Sequence, residues 1–198
     1  MKKIMMIAVL LVATLSASAQ TTLRDVGSFT LQPKVGVGFG FLSGSWTMLA
    51  GGDRKTRVGL IAGVEGEYYA NDFLGIAAGV NYAQQGWKLE NLGVKETQKL
   101  DFINIPITAN FYVAKGLALK TGVQFGFLVS AKYADNDDKD SFKKFNFSIP
   151  IGISYEYADF VLDARYNIAA TKINKNSDSD NKWRSDLFQI TLGYKFAL

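Results

Sequence analysis

The stretch Ser185–Leu198 reads SDLFQITLGYKFAL, and its reading decides the fold. Phe188, Ile190, Leu192, Tyr194 and Phe196 share one parity, while Gln189, Thr191, Gly193 and Lys195 share the other. Such strict alternation marks a β-strand with one apolar and one polar face. At the edge of a soluble sheet, an apolar strand invites pairing with other chains. It is safe where it closes a barrel against the first strand with its apolar face turned to lipid.

Working outward, seven further alternating segments precede it. The eight strands are expected at 29–42, 57–70, 73–87, 100–113, 117–132, 142–157, 160–172 and 185–198. Each reaches the ~9–11 residues that a tilted transmembrane strand needs. Asn71-Asp72, Ala114-Lys115-Gly116 and Ala158-Asp159 read as tight turns. Longer polar loops are expected at 43–56, 88–99, 133–141 and 173–184. Alternating short turns and long loops is the layout of outer-membrane barrels, with turns periplasmic and loops outside. Ala70, Ala114 and Ala158 recur at 44-residue spacing, and so do Ile105-Pro106-Ile107 and Ile149-Pro150-Ile151. The repeating unit is one hairpin plus one loop, which suits a meander better than a propeller or solenoid. The fold expected is all-β: an eight-stranded antiparallel up-and-down transmembrane β-barrel.

The glycines sharpen the assignment of faces. Gly36, Gly38, Gly40, Gly59, Gly63, Gly75, Gly79, Gly122, Gly126, Gly152 and Gly193 all fall on the polar parity. A narrow eight-stranded interior has room for few large side chains, so small residues belong there. GVGFG at residues 36–40 sits inside a strand and lacks the spacing of a phosphate loop. Aromatic residues next to the turns and termini, including Phe29, Tyr68, Tyr69, Phe73, Phe111, Tyr112, Tyr155, Tyr157, Phe160, Tyr194 and Phe196, are expected to form an interfacial girdle. Pro106 and Pro150 cannot donate to a ladder, so a bulge or kink is expected at each.

Residues 1–19 read as a cleaved signal peptide: Lys2 and Lys3, an apolar run, then Ala17-Ser18-Ala19 as the cleavage site. Residues 20–198 then form a single barrel domain. Losing the two lysines takes the formal charge from +4 to +2, and no basic stripe suggests nucleic acid. Without cysteine or histidine, thiolate metal sites and Ser-His or Cys-His catalysis are excluded. Asp135, Asp137, Asp138 and Asp140 lack the glycine turn and distal glutamate of a calcium loop. No cofactor and no enzymatic activity is expected.

Thr191-x-Gly193-x-x-Phe196-x-Leu198 resembles the C-terminal signal of outer-membrane barrels, which the barrel-assembly machinery reads. FINIPITANFYV, residues 102–113, resembles a segment of the PorT-like outer membrane protein beta-barrel domain family of Bacteroidetes. The resemblance implies fold and location more than activity, since the family is functionally mixed and some members assist a secretion system. The expected location is the outer membrane of a Gram-negative bacterium, with both termini periplasmic and the long loops extracellular. Outer-membrane lipid, lipopolysaccharide and, during biogenesis, the assembly machinery are the expected partners of a monomer.

Parity places eight charges in the lumen: Lys34, Glu65, Glu67, Lys120, Glu156, Asp163, Arg165 and Lys195, four of each sign. Isolated buried charges cost several kcal/mol each, so they are expected to pair. Asp163 with Arg165 and Lys120 with Glu156 are the pairs that strand neighbourhood suggests. Alternatively Lys34, Glu67, Glu156 and Lys195 sit at the periplasmic rim, solvated. The functional reading is a plugged, non-enzymatic barrel serving envelope structure or surface interaction. A narrow pore for ions or small solutes, an accessory of a secretion machine, and a soluble lipocalin-like binder are the alternatives. The last requires an apolar interior.

Overall fold

The computed structural model describes residues 25–43, 53–91, 94–133, 136–137, 139, 142–173 and 183–198. The expected signal segment and most of the acidic loop at 135–140 lie outside them. The strands are β1 (Phe29–Ser43), β2 (Asp53–Asn71), β3 (Leu74–Asn91), β4 (Val94–Ala114), β5 (Leu117–Tyr133), β6 (Asn136–Asp137), β7 (Phe145–Tyr157), β8 (Phe160–Ala169), β9 (Arg184–Tyr194) and β10 (Phe196–Ala197). Eight are long. β6 is a short addition to β5, and β10 continues β9 along β1 in the same register, with Lys34 opposite Gly193 and Leu31 opposite Phe196. All pairings are antiparallel; each long strand pairs with the next long strand in the chain, and β1 pairs with both β2 and β9. The barrel is therefore closed, and no long strand has a free edge. No helix among the described residues is long and apolar enough to span a membrane; the chain crosses with strands.

Burial alternates along the strands as the side-chain period of two requires. Large apolar residues point outward, such as Val58, Leu60 and Val64 on β2 or Ile149, Ile151 and Ile153 on β7, each 39–58% exposed. A continuous apolar sleeve of this kind has no place on a soluble monomer. Its solvent is hydrocarbon.

The Ala158-Asp159 turn lies where the sequence places it, while β1 to β5 run longer than the sequence suggests. Tyr157 pairs with Phe160, and Ala158 and Asp159 take φ of 45° and 71°, the two positive angles of a type I′ hairpin. The β2–β3 turn centres on Asp72 and Phe73 rather than Asn71-Asp72, with Asn71 Oδ1 accepting the Phe73 amide at 3.1 Å. The loop expected at 88–99 is mostly hairpin: β3 and β4 stay paired to Asn91 opposite Val94. Polar alternation beyond the apolar belt carries a ladder as well as apolar alternation does. In the opposite sense, the sixth long strand starts at Phe145, not 142, and the seventh ends at Ala169, not 172.

The prolines interrupt ladders without shifting register. Opposite Pro106, pairing of β3 with β4 pauses between Ala78–Ile107 and Asn81–Asn104, then resumes in the same frame. Opposite Pro150, β5 and β7 pause between Thr121–Ile151 and Gln124–Ser148. Pro33 does the same between β1 and the last strand, separating β9 from β10. The missing N–H removes bonding toward the preceding strand only, and each proline stays paired to the following one. No register shift falls at Pro106 or Pro150; the shifts in these ladders lie between Thr56 and Ile61, at Asp101/Phe102, and beside the turns at Tyr69/Asn71 and Tyr112/Ala114.

Candidate functional site

The inward parity of the barrel builds a filled lumen. Its floor lies at the tight-turn end. Lys195 Nζ sits 2.9 Å from Glu67 and 2.9 Å from Glu156, and donates to the hydroxyls of Tyr69 (2.7 Å) and Tyr112 (3.1 Å). Glu67 also accepts from Asn110 (2.7 Å) and Tyr112 (2.8 Å). The ammonium lies 5.3 and 5.6 Å from the two tyrosine ring centroids, within cation–π range. Tyr69 and Tyr112 are therefore lumen residues, not members of the girdle. Tyr69 shares the parity of Glu65 and Glu67, which is the signal that places it. Gly75 belongs to the same construction, because a Cβ there would collide with Glu67 Oε1.

One layer up, five charges from four strands form a second network. Lys34 meets Glu65 at 2.5 Å, and Lys120 meets Asp163 at 2.9 Å and Glu65 at 3.4 Å. Arg165 meets Asp163 at 3.0 Å and Glu65 at 3.3 Å. Arg165 is the largest fully buried side chain described. The pair expected between Asp163 and Arg165 is present, but Lys120 does not meet Glu156. The register sets Lys120 opposite Gly152, four residues from Glu156, which turns to Lys195 instead. Nor are the four candidate rim charges solvated: the Lys34, Glu67 and Lys195 side chains are at most 4% exposed and Glu156 10%. The upper network has one excess cation and the floor one excess carboxylate, so the two together balance.

Above the charges, polar side chains bond along the lumen wall, Gln124 to Ser148 (3.3 Å) and Asn167 to Gln189 (3.3 Å) between paired strands, while Ser185 on β9 reaches Gln85 on β3 (3.4 Å). At the long-connection end the interior turns apolar. Trp87, Leu100, Phe102, Leu128, Ala131, Phe142 and Ile173 form one buried cluster, with Trp183 against it. Trp87 lies edge-on to Phe142 at 6.1 Å and to Trp183 at 6.2 Å. Phe142, Ile173 and Trp183 come from strand-flanking segments, which is why strand parity alone misses this cap.

The four residues of the C-terminal motif separate. Thr191 and Gly193 face the lumen, Thr191 opposite Gly36 and Asp163, and Gly193 where a Cβ would collide with Gln32. Phe196 lies in the closing seam opposite Leu31, 4.7 Å from the Tyr194 ring and only 4% exposed. Leu198 is 67% exposed, and its amide donates to Phe29 O at 2.9 Å.

A closed barrel of eight strands, apolar outside and polar at its centre, defines a transmembrane outer-membrane-type protein. The Outer membrane protein beta-barrel domain family matches residues 18–175, and the chain belongs to that family. Among solved structures, Neisserial surface protein A is similar in fold, with a TM-score of 0.54 at 18% identity, covering 85% of this chain and 97% of that one. The attachment invasion locus protein Ail of Yersinia pestis has a TM-score of 0.51 at 14% identity, covering 87% of this chain and 100% of that one. The outer membrane protein AlkL, solved in DMPC bilayers, has a TM-score of 0.51 at 13% identity, covering 92% and 95%. At these identities the likeness is one of fold. No curated relative matches the sequence.

Proposed function

We propose that this chain is a self-sealed, non-enzymatic outer-membrane barrel: its body serves envelope structure, and its long connections serve surface interaction. The observation that carries this reading is the sealing of the lumen at both ends by unlike means. An ion network fills its lower half, and an apolar cluster closes its mouth. A solute path would have to break both. In this reading both termini are periplasmic, and the long connections are extracellular among lipopolysaccharide. Thr191, Gly193, Phe196 and Leu198 present the segment that the assembly machinery reads, and the barrel acts as a monomer. The proline-bearing strand around Ile105-Pro106-Ile107 supports the PorT-like branch of Bacteroidetes as the narrower kinship. The test is conductance. Purified protein in planar bilayers should carry little steady current, and reproducible single-channel currents from the unaltered chain would replace this reading with the narrow porin-like one.

A further inference from the structure

The upper ion network leaves part of one guanidinium unused. Arg165 turns only Nη2 to Asp163 and Glu65. Its Nε and Nη1, buried with the rest of the side chain, have no hydrogen-bond partner among the described residues. Gln189 stands directly opposite Arg165 on β9, and its Nε2 is likewise buried and unpartnered. Asn167 fixes which end of that amide is free. Asn167 Nδ2 donates to Leu187 O at 3.4 Å and to Gln189 Oε1 at 3.3 Å, so the Gln189 oxygen is taken and its nitrogen is not. Thr191, two residues further along β9, adds an unpartnered hydroxyl. Across from Gln189 and Thr191, β1 carries Gly38 and Gly36, which put no side chain into this row. Ile61 and Leu187 close over Gly38, each with a methyl carbon 2.9 Å from where a Cβ would sit.

Buried donors without an acceptor are costly. The charges point the same way. Lys34, Lys120 and Arg165 outnumber Glu65 and Asp163 by one, and all five side chains are at most 3% exposed. The floor's extra carboxylate does not meet this surplus at contact. Glu156 holds Lys195 instead and, at 10% exposed, is the least buried of the eight charges. The unpartnered acceptors of β8, Asp163 Oδ1 and Asn167 Oδ1, stand two residues to either side of Arg165. In the row that Arg165 shares with Gln189, the unpartnered groups are all donors.

A water in that row would bring further protons to groups that need an acceptor. An anion accepts from each donor, and a single negative charge cancels the surplus. We infer that the Arg165–Gln189 row is a binding site for one small monovalent anion of the halide class, held by the free guanidinium N–H groups of Arg165 and by Gln189 Nε2, with the Thr191 hydroxyl beside it. The site depends on the folded barrel alone, whichever way it lies in the membrane.

The test is equilibrium unfolding of the full-length protein by urea in detergent, with sodium chloride exchanged for sodium gluconate at constant ionic strength. Above the dissociation constant, each tenfold rise in chloride should lower the unfolding equilibrium constant about tenfold, as one bound ligand requires. Bromide should replace chloride. Gln189→Leu removes the amide donor, and Lys34→Met removes the surplus charge without touching the row; each should cut the dependence to under about twofold per tenfold step. Gln124→Leu removes an amide bonded to Ser148 elsewhere on the lumen wall and should leave the dependence intact. Unaltered heat-dependent gel mobility shows that each variant is folded. Crystals grown in bromide should show an anomalous peak touching Arg165 and Gln189. A chloride dependence equal in the unaltered chain and in both variants would be diffuse salt action. No dependence, or water in the row of bromide-grown crystals, would mean that solvent satisfies the donors. Each of these results overturns the inference.

Discussion

The lower lumen and the mouth solve one problem, filling a narrow cylinder, with opposite chemistries. Below, Glu65, Asp163, Lys34, Lys120 and Arg165 are held at 2.5–3.4 Å by partners from different strands. Above, Trp87, Leu100, Phe102 and Leu128 need only contact and volume. A buried ion network is geometrically exacting, because removing one member leaves others charged and unpaired. An apolar cluster tolerates exchange as long as its volume is kept. The two halves should therefore respond differently to the same class of substitution, and that difference can be measured.

The largest effect is expected at Arg165. Arg165→Leu leaves Asp163 and Glu65 without their shared guanidinium, at about 3–5 kcal/mol. Denaturant unfolding from detergent micelles reads this. Asp163→Leu with Arg165→Leu should cost less than the two singles combined, since the members of the pair share partners. Strict additivity would show that the charges are merely neighbours. In the cap, Leu100→Ala should cost about 2–5 kcal/mol through lost burial and the cavity left behind. Leu100→Met, which conserves volume, should cost under about 1.5 kcal/mol. If Arg165→Lys proved as mild as Leu100→Met, the contrast between the halves would collapse.

Most of the fold is legible in the sequence because the barrel repeats one physical rule. Large apolar side chains in Phe145–Tyr157 and Leu117–Tyr133 sit on the parity that meets lipid, while Lys120, Asp163 and Arg165 sit on the other. What parity cannot supply is stagger. Strands tilt in a barrel, so residues at one height are not at matching sequence offsets. This is why Lys120 meets Asp163 and Glu65 rather than Glu156. Parity also says nothing of segments that fold over an end, so the cap of Phe142, Ile173 and Trp183 escapes it. Pro33 is a different kind of omission. It obeys the rule of Pro106 and Pro150, but its partner lies at the far end of the chain, where only closure brings them together.

Phe196 tests the seam that joins those chain ends. Expected on the lipid face, it is instead covered, against Tyr194 and opposite Leu31. An arginine in place of the covered ring would bury a charge without a partner in the seam, at a cost of several kcal/mol. Phe196→Arg should therefore lower both the yield of inserted barrel and the temperature at which the gel shift between folded and unfolded forms occurs. Normal yield with an unchanged transition would mean that the seam does not depend on this ring.

The smallest effect separates tyrosines that share a chemistry but not a solvent. Tyr194 donates to Asp159 Oδ2 at 3.3 Å from the rim of the barrel, where water can take over either partner. Tyr112 donates to Glu67 at 2.8 Å and accepts from Lys195 at 3.1 Å, inside the floor. Tyr194→Phe removes one hydrogen bond, with a net value of about 0.5–1.5 kcal/mol, and solvent brings the loss to the low end. Tyr112→Phe keeps the ring over the ammonium but takes a donor from a buried carboxylate, a loss of about 1–3 kcal/mol. Denaturant midpoints measured in the same detergent should rank Tyr194→Phe nearest the unaltered chain and Tyr112→Phe clearly below it. Equal midpoints would mean that water reaches the Lys195 cage as freely as it reaches the rim, and the floor would then be no seal.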